Sequence, residues 1–362
     1  MTNKYGLALI GAGDRGGVYC RTLKRIPGIN FISVCDLIPE RAADYRQKYG
    51  FLHACGDYRE AVGKEGVDLV FICAPAYFHP EMAIYAMQKG KHVYSEKPMA
   101  LSLKDGAAVI ETEKSLGAKL GFGLQYRHMG GFRKVKTAVK DGLLGRPVLM
   151  RFSDVRELRP KRAMHDAEHG NGGPVVDMCC HFIDLMRWFF DADPVRITAR
   201  GFTFAYGRPE ISRFEHKALD TAVIIIEYSS GDIGEISICW GLPPGINSPA
   251  KYDILGPKGI LHPDQAEGVE KIICGTEGNQ ACEIKLSPAE EEESGNPELY
   301  LAQKFLRYIE GDGGFPTGSG EAYIALAASL AALKSAATGR PVLLEEILKE
   351  RPSVIDCMSA KG

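Results

Sequence analysis

The stretch YGLALIGAGDRG, Tyr5 to Gly16, restricts the possible architectures more than any other. An apolar run that ends in Gly11, Gly13 and Gly16 reads as a buried strand entering a tight turn and then a helix. Gly11 permits the turn. Gly13 leaves room for a pyrophosphate against the backbone and the helix N-terminus. Gly16 lets helix and strand pack closely. A G-x-G-x-x-G pattern alone is common. It gains weight here by following a strand and opening a helix at the start of a βαβ unit. A tight turn without a ligand is the competing reading.

The residues that follow keep the alternation. INFISVCD, VDLVFICAP, KHVYSEKP and AKLGFGL are strand segments. IPERAADYRQKYG, HPEMAIYAMQKG and LKDGAAVIETEKSLG are helical ones between them. Such alternation implies a parallel sheet covered on both faces, an α/β Rossmann domain over residues 1–122. Asp36 ends the second strand about twenty residues beyond the glycines. A carboxylate there accepts hydrogen bonds from an adenosine ribose and repels a 2′-phosphate. Leu37 and Ile38 follow it with no immediate arginine, which favours NAD over NADP; Arg41 on the next helix points the other way. Asp14 and Arg15, inside the glycine turn, join Gly11, Gly13, Gly16 and Asp36 as candidate cofactor-binding residues.

From residue 123 the pattern changes. RPVLMRFSDVRE, VRITARGFTFAYG, DTAVIIIEYSS, IGEISICWGL and KYDILGPKGILHP are longer strand candidates rich in β-branched residues. One long helix candidate, GPVVDMCCHFIDLMRWFFD, interrupts them. This predicts a second domain, 123–362, of α+β class with a largely antiparallel open sheet. NPELYLAQKFLRYIEGD and SGEAYIALAASLAALKSAATG read as helices, and PAEEEESGNP as an acidic loop.

A chain of 362 residues agrees with about two domains. The formal net charge of −2 and the absence of long like-charge blocks give no support for nucleic-acid or membrane partners. Neither a signal-peptide pattern nor a run of about 18 apolar residues occurs. Ten cysteines include no C-x-x-C pair, which reads as reduced thiols in a cytoplasm. Cys179 and Cys180 are adjacent, and packing is preferred to a redox role for them.

GAGDRG, then APAYFHP, then EKP, then GGPVVDMCCHFIDLMRW resemble, in order and spacing, the glucose–fructose oxidoreductase/inositol dehydrogenase (Gfo/Idh/MocA) family. The resemblance covers nearly the whole chain. It includes GFGLQYR at the domain junction and ISICWGLPPG further on. It implies NAD(P)-linked oxidation or reduction at a sugar or polyol carbon. Lys97 falls on the family's E-K-P lysine, beside the nicotinamide and the reacting hydroxyl. The Lys97–Pro98 bond is expected to be cis, as in relatives. Asp177 and His181 fall on its D-x-x-x-H pair. His79 closes its T-P-x-x-x-H segment, here with Ala74 for the usual threonine, before Pro75. Ala74, Pro75, His79 and Glu96 join the cofactor group. Arg127 in QYR matches an arginine near the start of the second domain and is assigned to substrate.

Oxidising a carbinol removes a hydride from carbon and a proton from oxygen. A histidine with a pKa near neutrality suits the proton. His181 stands four residues after Asp177 on the expected helix, which stacks the two on one face, so Asp177 can orient the imidazole. Lys97, just beyond a parallel strand, is placed to stabilise developing alkoxide charge. Either Lys97 or His181 is suited to take the proton, and His181 is preferred. Asp184 shares the helix face and either lines the pocket or serves the backbone. His165 and His169 have i,i+4 spacing, but no third ligand is evident. A substrate-binding loop, with His165 in contact, is preferred to a metal site, and a solvated loop is the remaining alternative. Trp240 is a candidate for stacking on a sugar ring, with a core role as its alternative. The expected reaction is sugar or inositol dehydrogenation. The alternatives are a glycoside hydrolase that uses bound NAD transiently and a non-catalytic NAD/sugar sensor. A sheet with one face free of helices points to a homodimer or homotetramer.

Overall fold

The structure, a computed structural model, describes residues 5–159, 162–263, 271–276 and 279–360. The chain divides into two compact units. The first comprises the described residues of Met1–Ala100, Asp105–Gly123 and Glu298–Tyr323. The second comprises those of Leu101–Lys104, Leu124–Pro297 and Ile324–Gly362. To the single boundary expected at 122–123 the structure adds a return of the chain, for which no local pattern prepares.

Six strands form the first sheet: β1 (Tyr5–Ile10), β2 (Ile29–Cys35), β3 (His53–Cys55), β4 (Leu69–Ile72), β5 (His92–Ser95) and β6 (Leu120–Phe122). Their order is β3-β2-β1-β4-β5-β6, and every pair is parallel. The winding reverses between β1 and β4, which opens a crevice at the strands' carboxyl ends. Leu7, Leu9, Phe71 and Tyr94 are fully buried in a core that also holds Leu301, Phe305 and Phe315 from the returning segment. The Phe305 ring lies 5.5 Å from Tyr94 and 6.3 Å from Phe71. Burying each such side chain contributes about 1.5–3 kcal/mol, which explains why the returning segment adheres.

The second sheet has nine strands. They are β7 (Leu149–Glu157), β8 (Pro194–Phe202), β9 (Thr221–Tyr228), β10 (Ile233–Leu242), β11 (Ser248–Gly256), β12 (Gly259–Pro263), β13 (Lys271–Thr276), β14 (Asn279–Lys285) and β15 (Val342–Leu343). The order is β14-β13-β12-β11-β7-β10-β9-β8-β15. Only β7–β10 is parallel; the remaining pairs are antiparallel. KYDILGPKGILHP forms two strands, because Pro257 cannot donate to a ladder and turns the chain between Gly256 and Gly259.

One face of this sheet carries the helices Gly130–Lys140 and Cys179–Phe190, with Phe132 5.5 Å from Tyr252 and Phe152 5.5 Å from Phe182. Among the described residues no helix covers the other face. Val223, Ile225 and Ile233 are exposed there, among the pairs Arg196–Glu227 at 3.4 Å and Arg151–Glu235 at 3.5 Å.

Two sequence expectations change. PAEEEESGNP is not a loop, since Pro288–Gly295 is helical. Proline suits a first helical position, glutamate is a good helix former, and acids favour a helix N-terminus. The expected single helix through Asp177 and His181 is two, Pro174–Asp177 and Cys179–Phe190, joined at Met178. There the chain tightens, and His181 N donates to Met178 O at 3.0 Å.

Candidate cofactor and catalytic residues

The three glycines of the first turn answer to different demands. Gly11 has φ +100°, and a Cβ there would lie 2.6 Å from the Cys73 carbonyl. At Gly16 a Cβ would lie 2.2 Å from Gly11 O. At Gly13 it would meet nothing within 4 Å. Gly13 is also the N-cap of helix Asp14–Leu23, with an extended backbone open to any residue and no side chain of its own to cap this end. The protein's own packing therefore does not call for glycine at position 13, whereas a phosphate approaching the helix N-terminus does. Asp36 seals the turn: Oδ2 accepts from Ala12 N and Oδ1 from Ile38 N, both at 2.9 Å. A carboxylate retains further acceptor positions for ribose hydroxyls. Asp14 is exposed in the first helical turn. The residues present thus fit a dinucleotide.

Arg15, Glu96 and His79, expected to touch the cofactor, are also bonded inside the first unit. Arg15 Nη2 donates to Glu96 Oε1 at 2.7 Å, and its Nη1 donates to Glu298 Oε1 at 3.0 Å. Tyr19 Oη donates to the same Glu96 oxygen at 2.8 Å. Burial raises the Glu96 pKa, but Arg15 and then Lys97 outweigh it and hold the carboxyl below its ordinary value. Glu96 braces the lysine turn, its Oε2 accepting from Lys97 N at 3.4 Å. A buried carboxylate needs such partners, and Arg15 is the nearest source.

His79 is likewise bonded on both ring nitrogens. Its Nδ1 lies 2.8 Å from Pro98 O and its Nε2 2.8 Å from Ala74 O. Burial depresses its pKa against the pull of both carbonyls. The ring clamps the turn after β5 to the end of β4. Lys97 is half-buried in that turn, and its bond to Pro98 is cis. Ala74 is half-buried beside the Gly11 turn and Pro75 is exposed.

In the second unit Asp177 and His181 are both buried. Asn171 Nδ2 donates to Asp177 Oδ1 at 3.1 Å. The His181 ring is stacked on Tyr126, with centroids 4.6 Å apart and planes 9° from parallel. Sequence reading missed both neighbours; the QYR signal pointed to Arg127, not to the tyrosine before it. Arg127 and Asp184, assigned to substrate, pair with each other: Arg127 Nε donates to Asp184 Oδ2 at 2.7 Å and Nη2 donates to Oδ1. This fork ties the 3₁₀ turn Gln125–His128 to helix Cys179–Phe190.

Of the two roles open to Trp240, its burial agrees with the core one. It is 2% exposed, its Nε1 donates to Asp154 Oδ2 at 2.8 Å, and Arg156 and Arg159 lie over its ring. The segment around His165 is not a solvated loop. His165 O accepts from Ala218 N at 3.0 Å, and Asp166 bridges to Lys217; Pro160 and Lys161 of this segment lie outside the described residues. His165 is 1% exposed, and neither of its ring nitrogens has a hydrogen-bond partner among the described residues. Burial lowers its pKa, outweighing the nearby charges of Asp220 and Asp177. His169, by contrast, is exposed and faces Glu168 at 3.7 Å. Among the described residues no group of three or more His, Cys, Asp or Glu is arranged to hold a metal ion. Burial pushes the Cys73 and Cys179 thiols well above their ordinary pKa, as packing residues require. No described helix is long and apolar enough to cross a membrane.

Known proteins align with this geometry. Residues 5–124 match the oxidoreductase-family model of the NAD-binding Rossmann fold, and residues 132–262 match the GFO/IDH/MocA C-terminal domain. Myo-inositol 2-dehydrogenase of Thermotoga maritima is 27% identical over 94% of this chain and 99% of its own. The 1,5-anhydro-D-fructose reductase of Ensifer adhaerens is 26% identical over 95% and 99%. Among solved structures, levoglucosan dehydrogenase in complex with NADH and levoglucosan has a TM-score of 0.84. It is 19% identical and covers 94% of this chain and 100% of that one, a likeness of fold. The chain is therefore an NAD-binding oxidoreductase and belongs to the GFO/IDH/MocA family.

Proposed function

We propose that this enzyme is an NAD-dependent dehydrogenase of a sugar, sugar derivative or inositol. His165 is the observation that carries the substrate class. A buried imidazole with neither nitrogen bonded among the described residues is costly unless a polar ligand completes it. A ligand dense in hydroxyls offers both donor and acceptor. The relatives named for inositol and anhydrosugar chemistry support the same class.

The Gly13 cradle and Asp36 would hold NAD, which supplies the hydride acceptor when bound. Lys97 hydrogen-bonds the reacting oxygen and stabilises the alkoxide charge that develops on it. His181 takes the hydroxyl proton on a ring nitrogen, and Asp177 orients the ring and stabilises its charged form. His165 binds a second hydroxyl and fixes the substrate's orientation. The open face of the nine-stranded sheet is the surface for a second copy of the chain, and the cytoplasm is the compartment.

The test is absorbance at the reduced-nicotinamide band, with NAD or NADP and a panel of inositols, hexoses, uronates and glycosides. Reduction of NAD by one polyol class is expected. Lys97→Ala should lower kcat by at least about 10²-fold while NAD still binds; full turnover in that variant would sink the assignment. Cleavage of a glycoside with no build-up of NADH would replace it with transient oxidation and elimination.

A further inference from the structure

Tyr126 lies almost flat on His181, at 4.6 Å and 9°. Its other neighbours keep it there. Phe132 continues the column at 6.1 Å and 20°, and Phe182 closes against it at 6.3 Å. The turn that carries Tyr126 is pinned by the next residue, since Arg127 is bonded to both oxygens of Asp184, one helical turn beyond His181. A side chain between an aromatic neighbour and a buried ion pair has little freedom to leave the stack.

We propose that Tyr126 is a positioning residue for the proton step, its ring fixing the plane of the His181 imidazole and stabilising the imidazolium formed there. The inference rests on the reading that His181 takes the hydroxyl proton. A histidine ring turns readily about its terminal torsion, and a parallel ring against its face removes that freedom, so its nitrogens keep one direction. The electron-rich face also attracts a cation, and the attraction grows as the neutral ring gains a proton. Stabilisation present only after proton transfer speeds the chemical step rather than substrate binding. The ring performs both tasks. The hydroxyl is not required for either, so phenylalanine should substitute.

The full-length protein is made as Tyr126→Phe, Tyr126→Leu and Tyr126→Met, the last two so that a folded variant without a ring is in hand. His181→Asn identifies the His181 resonance in histidine-labelled protein and tests the base itself. The imidazole protons of His181 should appear upfield, shifted by the ring current of Tyr126. They should stay upfield in Tyr126→Phe and move downfield in Tyr126→Leu or Tyr126→Met. With the panel polyol that reduces NAD fastest, the ring-less variants should lose about tenfold in kcat with KM changed less than about twofold, and Tyr126→Phe should retain kcat. An unmoved resonance overturns the stack. A moved resonance with unchanged kcat overturns the positioning role, as does an equal loss in Tyr126→Phe. Full turnover in His181→Asn overturns the assignment of the base and the positioning role with it. That failure is told apart from a missing stack by the resonance.

Discussion

A methyl group at Gly16 would press on Gly11 O at 2.2 Å, while one at Gly13 would stand in open space. Gly16→Ala should therefore destabilise the fold by about 1–3 kcal/mol, read as a lower denaturation midpoint. Gly13→Ala should cost less than about 1 kcal/mol, the ordinary loss at a helix N-cap. It should nevertheless weaken NAD binding by on the order of tenfold, about 1.4 kcal/mol, in a fluorescence titration. Equal effects of the two substitutions on stability would mean that Gly13 also serves packing. Gly11, Gly13, Gly16 and Asp36 were legible in the sequence because a turn and a strand end are local events. The internal hydrogen bonds of Glu96, Arg15, His79 and Trp240 were not legible. Their partners come from other elements, and no spacing in the sequence announces them.

Strands and helices with a strong period were readable, as in IGEISICWGL, which forms β10 over its whole length. The hairpin β13–β14 and the three-residue β3 were not read. The helix through Asp177 and His181 was readable in extent but not in its break at Met178. The join between the 3₁₀ turn Gln125–His128 and helix Cys179–Phe190 depends on Arg127 and Asp184, both buried. Asp184→Ala would leave the guanidinium without its carboxylate, and it should cost about 3–5 kcal/mol in a denaturant titration. A loss below about 1 kcal/mol would show that the ion pair does not hold these two elements together.

At the scale of a whole sheet, the second unit has a face that the described helices leave bare. On the open sheet face Val223 and Ile225 alternate with Arg196, Arg151, Glu227 and Glu235, so apolar ground is dotted with both signs of charge. Two copies related by a two-fold axis can match such a face to itself. Ile225→Glu should lower the mass measured by light scattering to that of one chain and leave NAD binding unchanged; an unaltered mass would place self-association elsewhere. The return of Glu298–Tyr323 to the first unit concerns the order in which the protein is made. Residues up to Gly123 leave the ribosome with Phe71 and Tyr94 lacking Phe305, which lies against both in the finished unit. At about 5–20 residues per second, the missing segment follows roughly 10–40 s later. Through that interval the cofactor domain exists in the cell as an unfinished hydrophobic surface, so chaperone capture of the nascent chain should peak before Glu298 emerges and fall once Tyr323 has.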